Sequence, residues 1–174
     1  MDPEMKEDLI RKNEKIYSFG YGTIGEYKGR KEHLVIPDKI VHRKGPADCG
    51  FILLHDRDEV MCIDSFAFEN CLTLKSVEFP QTLGVTKEYA FFGCENLEHV
   101  TFRDGIEKIE GMAFSDCDGL KSVVIPDSVT KIGRNAFGNG GFCQTEEFTI
   151  YGKKDSEPER YANENGFMFK ELKE

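Results

Sequence analysis

Ala-Phe is written four times between Val60 and Phe137, at Ala67-Phe68, Ala90-Phe91, Ala113-Phe114 and Ala136-Phe137, each copy 23 residues after the last. An apolar frame returns with it. Val60, Leu83, Ile106 and Val129 stand seven residues before each Ala, and Ile63, Ile109 and Ile132 stand four before. Cys71, Cys94 and Cys117 follow, then Leu74, Leu97 and Leu120, then the pairs Val77/Phe79, Val100/Phe102 and Val123/Ile125. Self-similarity at a fixed period of this length marks a chain that coils, each repeat burying its apolar face against its neighbours. The fold class is therefore a repeat solenoid, β-rich with short helices.

Within one repeat the spacing assigns directions. In Leu97-x-x-Val100-x-Phe102 the last two apolar positions alternate as in a strand, so Val100 and Phe102 are expected inside and His99, Thr101 and Arg103 outside. Strands of equal phase in successive coils then form a parallel sheet along one side. Ile106 and Ile109, three apart, suit a turn on the opposite wall. Ala113 is small where the backbone passes close to its neighbour, and Phe114 fills the width of the core. The four phenylalanines are expected to stack as an internal column.

Outward positions of the strands line up in ladders: Ser76, His99, Ser122 and Glu147 in one, Glu78, Thr101, Val124 and Thr149 in the next, Pro80, Arg103, Pro126 and Tyr151 in a third. Their residue types change from coil to coil while the inward ones keep repeating Val, Ile and Phe. Variation at an exposed position cannot serve the core. These ladders are the candidate partner-binding surface, the one repeated architectures commonly use.

Single-domain organisation is expected over 1–174. Residues 1–32 read as a charged N-terminal helix near Pro3–Lys15 and a glycine-rich twisted hairpin over Tyr17–Gly29 that caps the first coil. His33 to Asp38 supplies the first strand, and 33–151 holds about five or six coils. Between Ile40 and Arg57 the frame is lost, and a degenerate coil is expected, with a strand at Phe51–Leu54 and a longer loop at Val41–Cys49. That loop is a second candidate site, since departures from repeat length often carry function. Residues 152–174 form a C-terminal cap. Ser156-Glu157-Pro158-Glu159 is an N-cap box, Gly166 ends the helix, and Phe167 and Phe169 alternate in a closing strand.

The string Ile125-Pro126-Asp127-Ser128-Val129-Thr130-Lys131-Ile132-Gly133-Arg134-Asn135-Ala136-Phe137 resembles the BspA-type (Treponema pallidum-type) leucine-rich repeats of bacterial and some protozoal proteins. Tyr27-x-Gly29 with Val35-Ile36-Pro37, and Tyr161-Ala162-Asn163-Glu164-Asn165-Gly166, are similar to segments found beside such repeats. The likeness runs from about residue 27 to 169 and departs from the pattern at 41–49, at Thr86 in place of Ile and at Gly140 in place of Cys. It implies a right-handed leucine-rich-repeat solenoid with a parallel sheet, an N-terminal hairpin cap and a C-terminal helix cap. It also implies a surface-exposed or secreted binding protein, and it brings no catalytic residue.

Composition narrows the rest. A net charge of −9 with no basic block excludes phosphate backbones as the expected partner, so no nucleic acid is predicted. No apolar run approaches the roughly 18 to 20 residues of a membrane span, and Met1–Lys15 lacks the apolar region of a signal peptide. The expected compartment is cytoplasmic as written, or the cell surface or exterior if a leader has been removed. Cys71, Cys94 and Cys117 share one phase, where parallel side chains disfavour bridging, and they read as buried free thiols. Cys49, Cys62 and Cys143 are out of phase. They share no metal spacing with His33, His42, His55 or His99, so no cofactor and no metal are predicted. The function expected is a non-catalytic module that binds a protein through the concave parallel-sheet face or the 41–49 loop. The alternatives are a surface or adhesive structural segment, and a cysteine- or metal-dependent enzyme.

Overall fold

Two parallel sheets form facing walls of a solenoid in the structure, a computed structural model that describes residues 23–24, 27, 30–40, 58–138 and 148–172. One wall holds β1 (Thr23–Ile24), β5 (Cys62–Ile63), β7 (Val85–Thr86), β9 (Lys108–Ile109) and β11 (Lys131–Ile132), in that order. The other holds β2 (His33–Val35), β6 (Ser76–Glu78), β8 (His99–Thr101), β10 (Ser122–Val124), β12 (Thr149–Gly152) and β13 (Met168–Glu171). The opposite wall is thus a sheet of two-residue strands and not the expected turn. Ile63, Ile109 and Ile132 still point inward from it, each almost wholly buried.

The repeated phrase builds the core as its phase requires. Phe68, Phe91, Phe114 and Phe137 are fully buried and stack in register, with centroid spacings of 4.5, 5.0 and 5.4 Å and ring planes within 9°. Each such side chain contributes roughly 2–3 kcal/mol by transfer from water. Alongside runs a hydrogen-bonded thread: Phe68, Phe91 and Phe114 N–H groups donate to the carbonyls of Ala90, Ala113 and Ala136 at 2.7–2.8 Å. The Ala side chains are fully buried between coils, as their size predicts.

Between the walls the chain turns sharply through two left-handed residues per coil. Phe66, Tyr89, Met112 and Asn135, one before each Ala, have φ between 53° and 62°. Asn70, Gly93 and Asp116, three after the Ala, have φ between 54° and 71°. Asn, Asp and Gly tolerate this region; Phe, Tyr and Met do so only at a cost.

Both ends of the Phe column are closed by tyrosines. At the start Tyr27 stacks on Phe68 at 5.0 Å, and its N–H donates to the Ala67 carbonyl at 2.6 Å, repeating the internal thread. The described strand of the segment expected as a hairpin, Thr23–Ile24, pairs in parallel with β5, so it is a rung of the wall; apart from Tyr27 the remainder lies outside the described residues. At the other end stands α1 (Glu157–Asn165). Its Tyr161 hydroxyl accepts the Phe137 N–H at 3.2 Å, where another coil would offer an Ala carbonyl. The Glu157 carboxylate accepts the N–H of Ile132, on the last strand of the five-stranded wall, at 2.8 Å. Arg160 beside it, with the Ile132 N–H, holds that carboxyl below its usual range. Gly166 adopts the left-handed C-cap conformation expected of it, φ 74°, and β13 follows in parallel with β12. The N-cap box is not made: the Ser156 hydroxyl donates back to the Lys153 carbonyl, and Glu159 takes the Asp155 N–H.

Two further expectations change. No rung lies between β2 and β6, where the degenerate coil is expected to supply one, because the two strands pair directly, His33 beside Ser76 and Val35 beside Glu78. The chain between them leaves and returns on an antiparallel stem, β3 (Lys39–Ile40) against β4 (Asp58–Glu59). Phe51–Leu54 and the 41–49 loop lie outside the described residues, as does the helix expected at 3–15. At the far end, Ser122 pairs with Thr149 and Val124 with Tyr151, a slip of two residues from the expected ladders.

Thr86 stands where the other coils place Ile, fully buried, and its hydroxyl has no hydrogen-bond partner among the described residues. An unpaired buried hydroxyl costs about 1–3 kcal/mol. Thr86→Val, which keeps the shape and removes the polar atom, is expected to raise the melting temperature; a fall would show that the hydroxyl is paired.

Candidate functional site

The outer face of the six-stranded sheet is built of two rows. His33, Ser76, His99, Ser122, Thr149 and Met168 share one register position; Val35, Glu78, Thr101, Val124, Tyr151 and Lys170 share the next. Each is set there because the alternate residues, Leu34, Val77, Val100, Val123 and Ile150, are drawn into the core.

The face divides by chemistry along its length. Its first half is mostly polar, Val35 apart: His33 Nδ1 lies 2.8 Å from Ser76 Oγ, Arg103 pairs with Glu78, and Lys75 pairs with Glu32 at 2.7 Å. Lys75 draws the Glu32 carboxyl below its usual range and is itself raised in turn. The second half is more apolar. Val124 and Met168 are 49% and 46% exposed, and Lys170 Nζ lies 5.8 Å from the Tyr151 ring centroid, a cation–π distance.

Of the ten residues the sequence nominated, the structure brings together Ser76, Glu78, His99, Thr101, Arg103, Ser122, Val124 and Tyr151 on this face. Thr149 is withdrawn, being buried at the Ser122 register, and Glu147 lies outside the described residues. His33, Val35, Met168 and Lys170 join the face although the sequence did not nominate them. The repeat frame of 60–137 does not reach Val35, and β13 belongs to the cap. Alternation within each strand points to them, and for β2 so does the likeness of His33–Asp38 to Ser122–Asp127.

The in-phase cysteines are interior. Cys94 and Cys117 thiols donate to the Phe68 and Phe91 carbonyls of the preceding coil at 3.1 and 3.3 Å. Cys71 is partly buried against the core. The neighbouring Cys94 thiol and burial push its thiol well up; Cys117 does the same to Cys94, so both stay protonated. A protonated thiol is neither nucleophile nor metal ligand. His33 and His99 are exposed on the sheet, and no cluster of three or more metal-binding side chains occurs among the described residues. Cys49, Cys143, His42 and His55 lie outside them. The depression beside α1, lined by Asp155, Glu157, Glu159 and Arg160 among others, is shallow, and the Arg160 guanidinium is already held by Glu157 and Glu164.

Solved structures with this architecture include a leucine-rich repeat protein from Bacteroides capillosus, 24% identical with a TM-score of 0.61 over 80% of this chain and 92% of that one. A T. pallidum leucine-rich repeat protein is 23% identical, with a TM-score of 0.54 over 78% of this chain and 68% of that one. A leucine-rich cell surface protein from Faecalibacterium prausnitzii is 19% identical, with a TM-score of 0.53; the match covers 84% of this chain and 45% of that one. No curated protein matches by sequence. The model of the BspA type leucine rich repeat region matches residues 48–163 in six copies, the span that carries the Ala-Phe phrase, the thiol ladder and α1. The chain therefore belongs to the BspA-type leucine-rich repeat family.

Proposed function

We propose that the chain is a non-catalytic protein-binding module whose docking surface is the outer face of the six-stranded sheet, displayed at the cell surface. The observation that carries the reading is the contrast between rows. Inward positions repeat Val, Leu, Ile and Phe, whereas Ser76, His99 and Ser122, or Glu78, Thr101 and Val124, change character at each coil. The mixed polar and apolar halves suit a protein partner, since interfaces combine an apolar centre with a polar surround. Surface display is supported by the F. prausnitzii neighbour, described as a cell surface protein, and not by the cytoplasmic compartment first expected. No helix among the described residues is long and apolar enough to cross a membrane.

A photoreactive side chain at Thr101 is expected to cross-link the partner on intact source cells, while the same group at Lys131 on the opposite wall captures nothing. Combining His99→Ala, Thr101→Ser and Arg103→Glu should leave the circular dichroism spectrum unchanged, because all three are exposed and the Arg103–Glu78 pair is a surface one of about 0–1 kcal/mol. Affinity for the captured partner should fall, most for an acidic one. Capture from Lys131 alone, or unchanged affinity, would remove the site from this face and leave the 41–49 loop as the next place to probe.

A further inference from the structure

We propose that the turns joining the two walls carry a second docking site, an aromatic ridge of Phe66, Tyr89 and Phe92 that receives a cationic protein segment bearing apolar side chains. Phe66 is 49% exposed and stacks on Tyr89 with centroids 5.1 Å apart and planes within 6°; Phe92 packs edge-on to Tyr89 at 5.7 Å. The rings lie outside the core column and do not extend it.

The backbone does not ask for them. Phe66 and Tyr89 sit at φ 62° and 60°, where Asn and Gly are at ease and bulky side chains are strained. The last regular coil fills the same place with Asn135, at φ 53°. Likewise Ser115 takes the Phe92 phase one coil later. Side chains chosen against the local backbone and turned to solvent serve something outside the fold.

The surround says what the occupant is. Across 64–73, 87–96 and 110–119 stand seven carboxylates and a single cation, Lys87, which is already paired with Asp64 at 2.7 Å. Glu69, Glu88, Glu95, Asp116 and Asp118 make no ion pair among the described residues. A second copy presenting this face would set like charges together, and nucleic acid or an anionic membrane would be repelled. A segment with Lys or Arg between apolar residues meets both features, the ring cluster and the carboxylates of the same three turns. This site is separate from the outer sheet face, and either reading can fail alone.

Three fluorescein-labelled synthetic peptides test it against the full chain by anisotropy: one alternating lysine with leucine, one with glutamate for lysine, and one with serine for leucine. The lysine–leucine peptide is expected to bind, more weakly as salt rises, and the other two to bind at least about tenfold more weakly. Phe66→Asn with Tyr89→Asn should abolish that preference with little change in melting temperature, because lost stacking is offset by a relaxed backbone. Glu69→Lys with Glu88→Lys, which leaves the rings intact, should abolish it too, whereas the His99, Thr101 and Arg103 triple variant should not. The proposal is overturned if the lysine–leucine peptide fails to bind, if the serine peptide binds as tightly, or if either double variant keeps full affinity. A concentration-dependent dimer lost in the Asn double variant would give the ridge to a second copy and overturn it as well.

Discussion

Phe114→Ala is expected to lower stability by about 3–5 kcal/mol, the cost of emptying a large buried aromatic site, out of a total of roughly 5–15 kcal/mol. Phe114 is fully buried between Phe91 at 5.0 Å and Phe137 at 5.4 Å, with Phe102 and Phe79 edge-on at 5.8 and 6.4 Å. Solenoid coils hold one another by nearest-neighbour contacts, so a gap in the middle of the column also uncouples the coils on either side. In urea the midpoint should fall and the transition should become less steep. Phe167, half-buried at the end against Phe148 and Tyr161, is the control. Its change to Ala should shift the midpoint less; equal shifts would mean that the column does not couple the coils.

Gly133→Ala is the second large effect. A Cβ there would lie 2.4 Å from Gly111 N, 2.7 Å from the Glu110 carbonyl carbon and 2.9 Å from Gly111 Cα. All three are backbone atoms, and no side chain can rotate away. The coils must part, stretching the 2.7 Å bond from Gly133 N–H to the Ile109 carbonyl. Overpacking of this kind costs about 1–3 kcal/mol, occasionally more. Gly84→Ala is the contrast, since its Cβ would meet only the Met61 carbonyl oxygen at 3.5 Å, an ordinary contact. The first variant should melt well below the second; matching melting temperatures would show that coil spacing adjusts freely.

The sequence alone determined which side chains face inward from Val60 to Ile125, because a 23-residue phase repeated in Ala, Phe, Cys and Leu admits one arrangement of the coil. It determined the stacking of Phe68 to Phe137 and the extent of the thiol ladder for the same reason, since each depends on contacts between identical neighbours, and the end of α1 at Gly166 because a left-handed C-cap is local chemistry. It also placed most of the nominated residues on the outer face of the sheet, since exposure at His99 or Thr101 follows from the burial of Val100.

Tertiary structure decided what happens where identical neighbours run out. A strand slipped by two residues keeps its inward and outward faces, so alternation cannot choose between Phe148 and Ile150 as the partner of Val123. The structure pairs Val123 with Ile150, and Gly152 then lies where Pro158 of α1 packs, a place in which a Cβ would come within 2.9 Å of the proline. That slip brings Thr149 beside Ser122 and Tyr151 beside Val124. Likewise only pairing shows that β2 meets β6, with the chain between them carried out on a two-stranded stem. Gly133 follows three coils that hold Asp64, Lys87 and Glu110 in its phase, so nothing local marks it as obligatory. Tyr27, Tyr161 and Glu157 had no repeat to announce them either. Each closes the stack by offering the group that a missing coil would have supplied, and that requirement arises from the three-dimensional edge, where the Ala67 carbonyl must find a donor and the Phe137 and Ile132 N–H groups an acceptor.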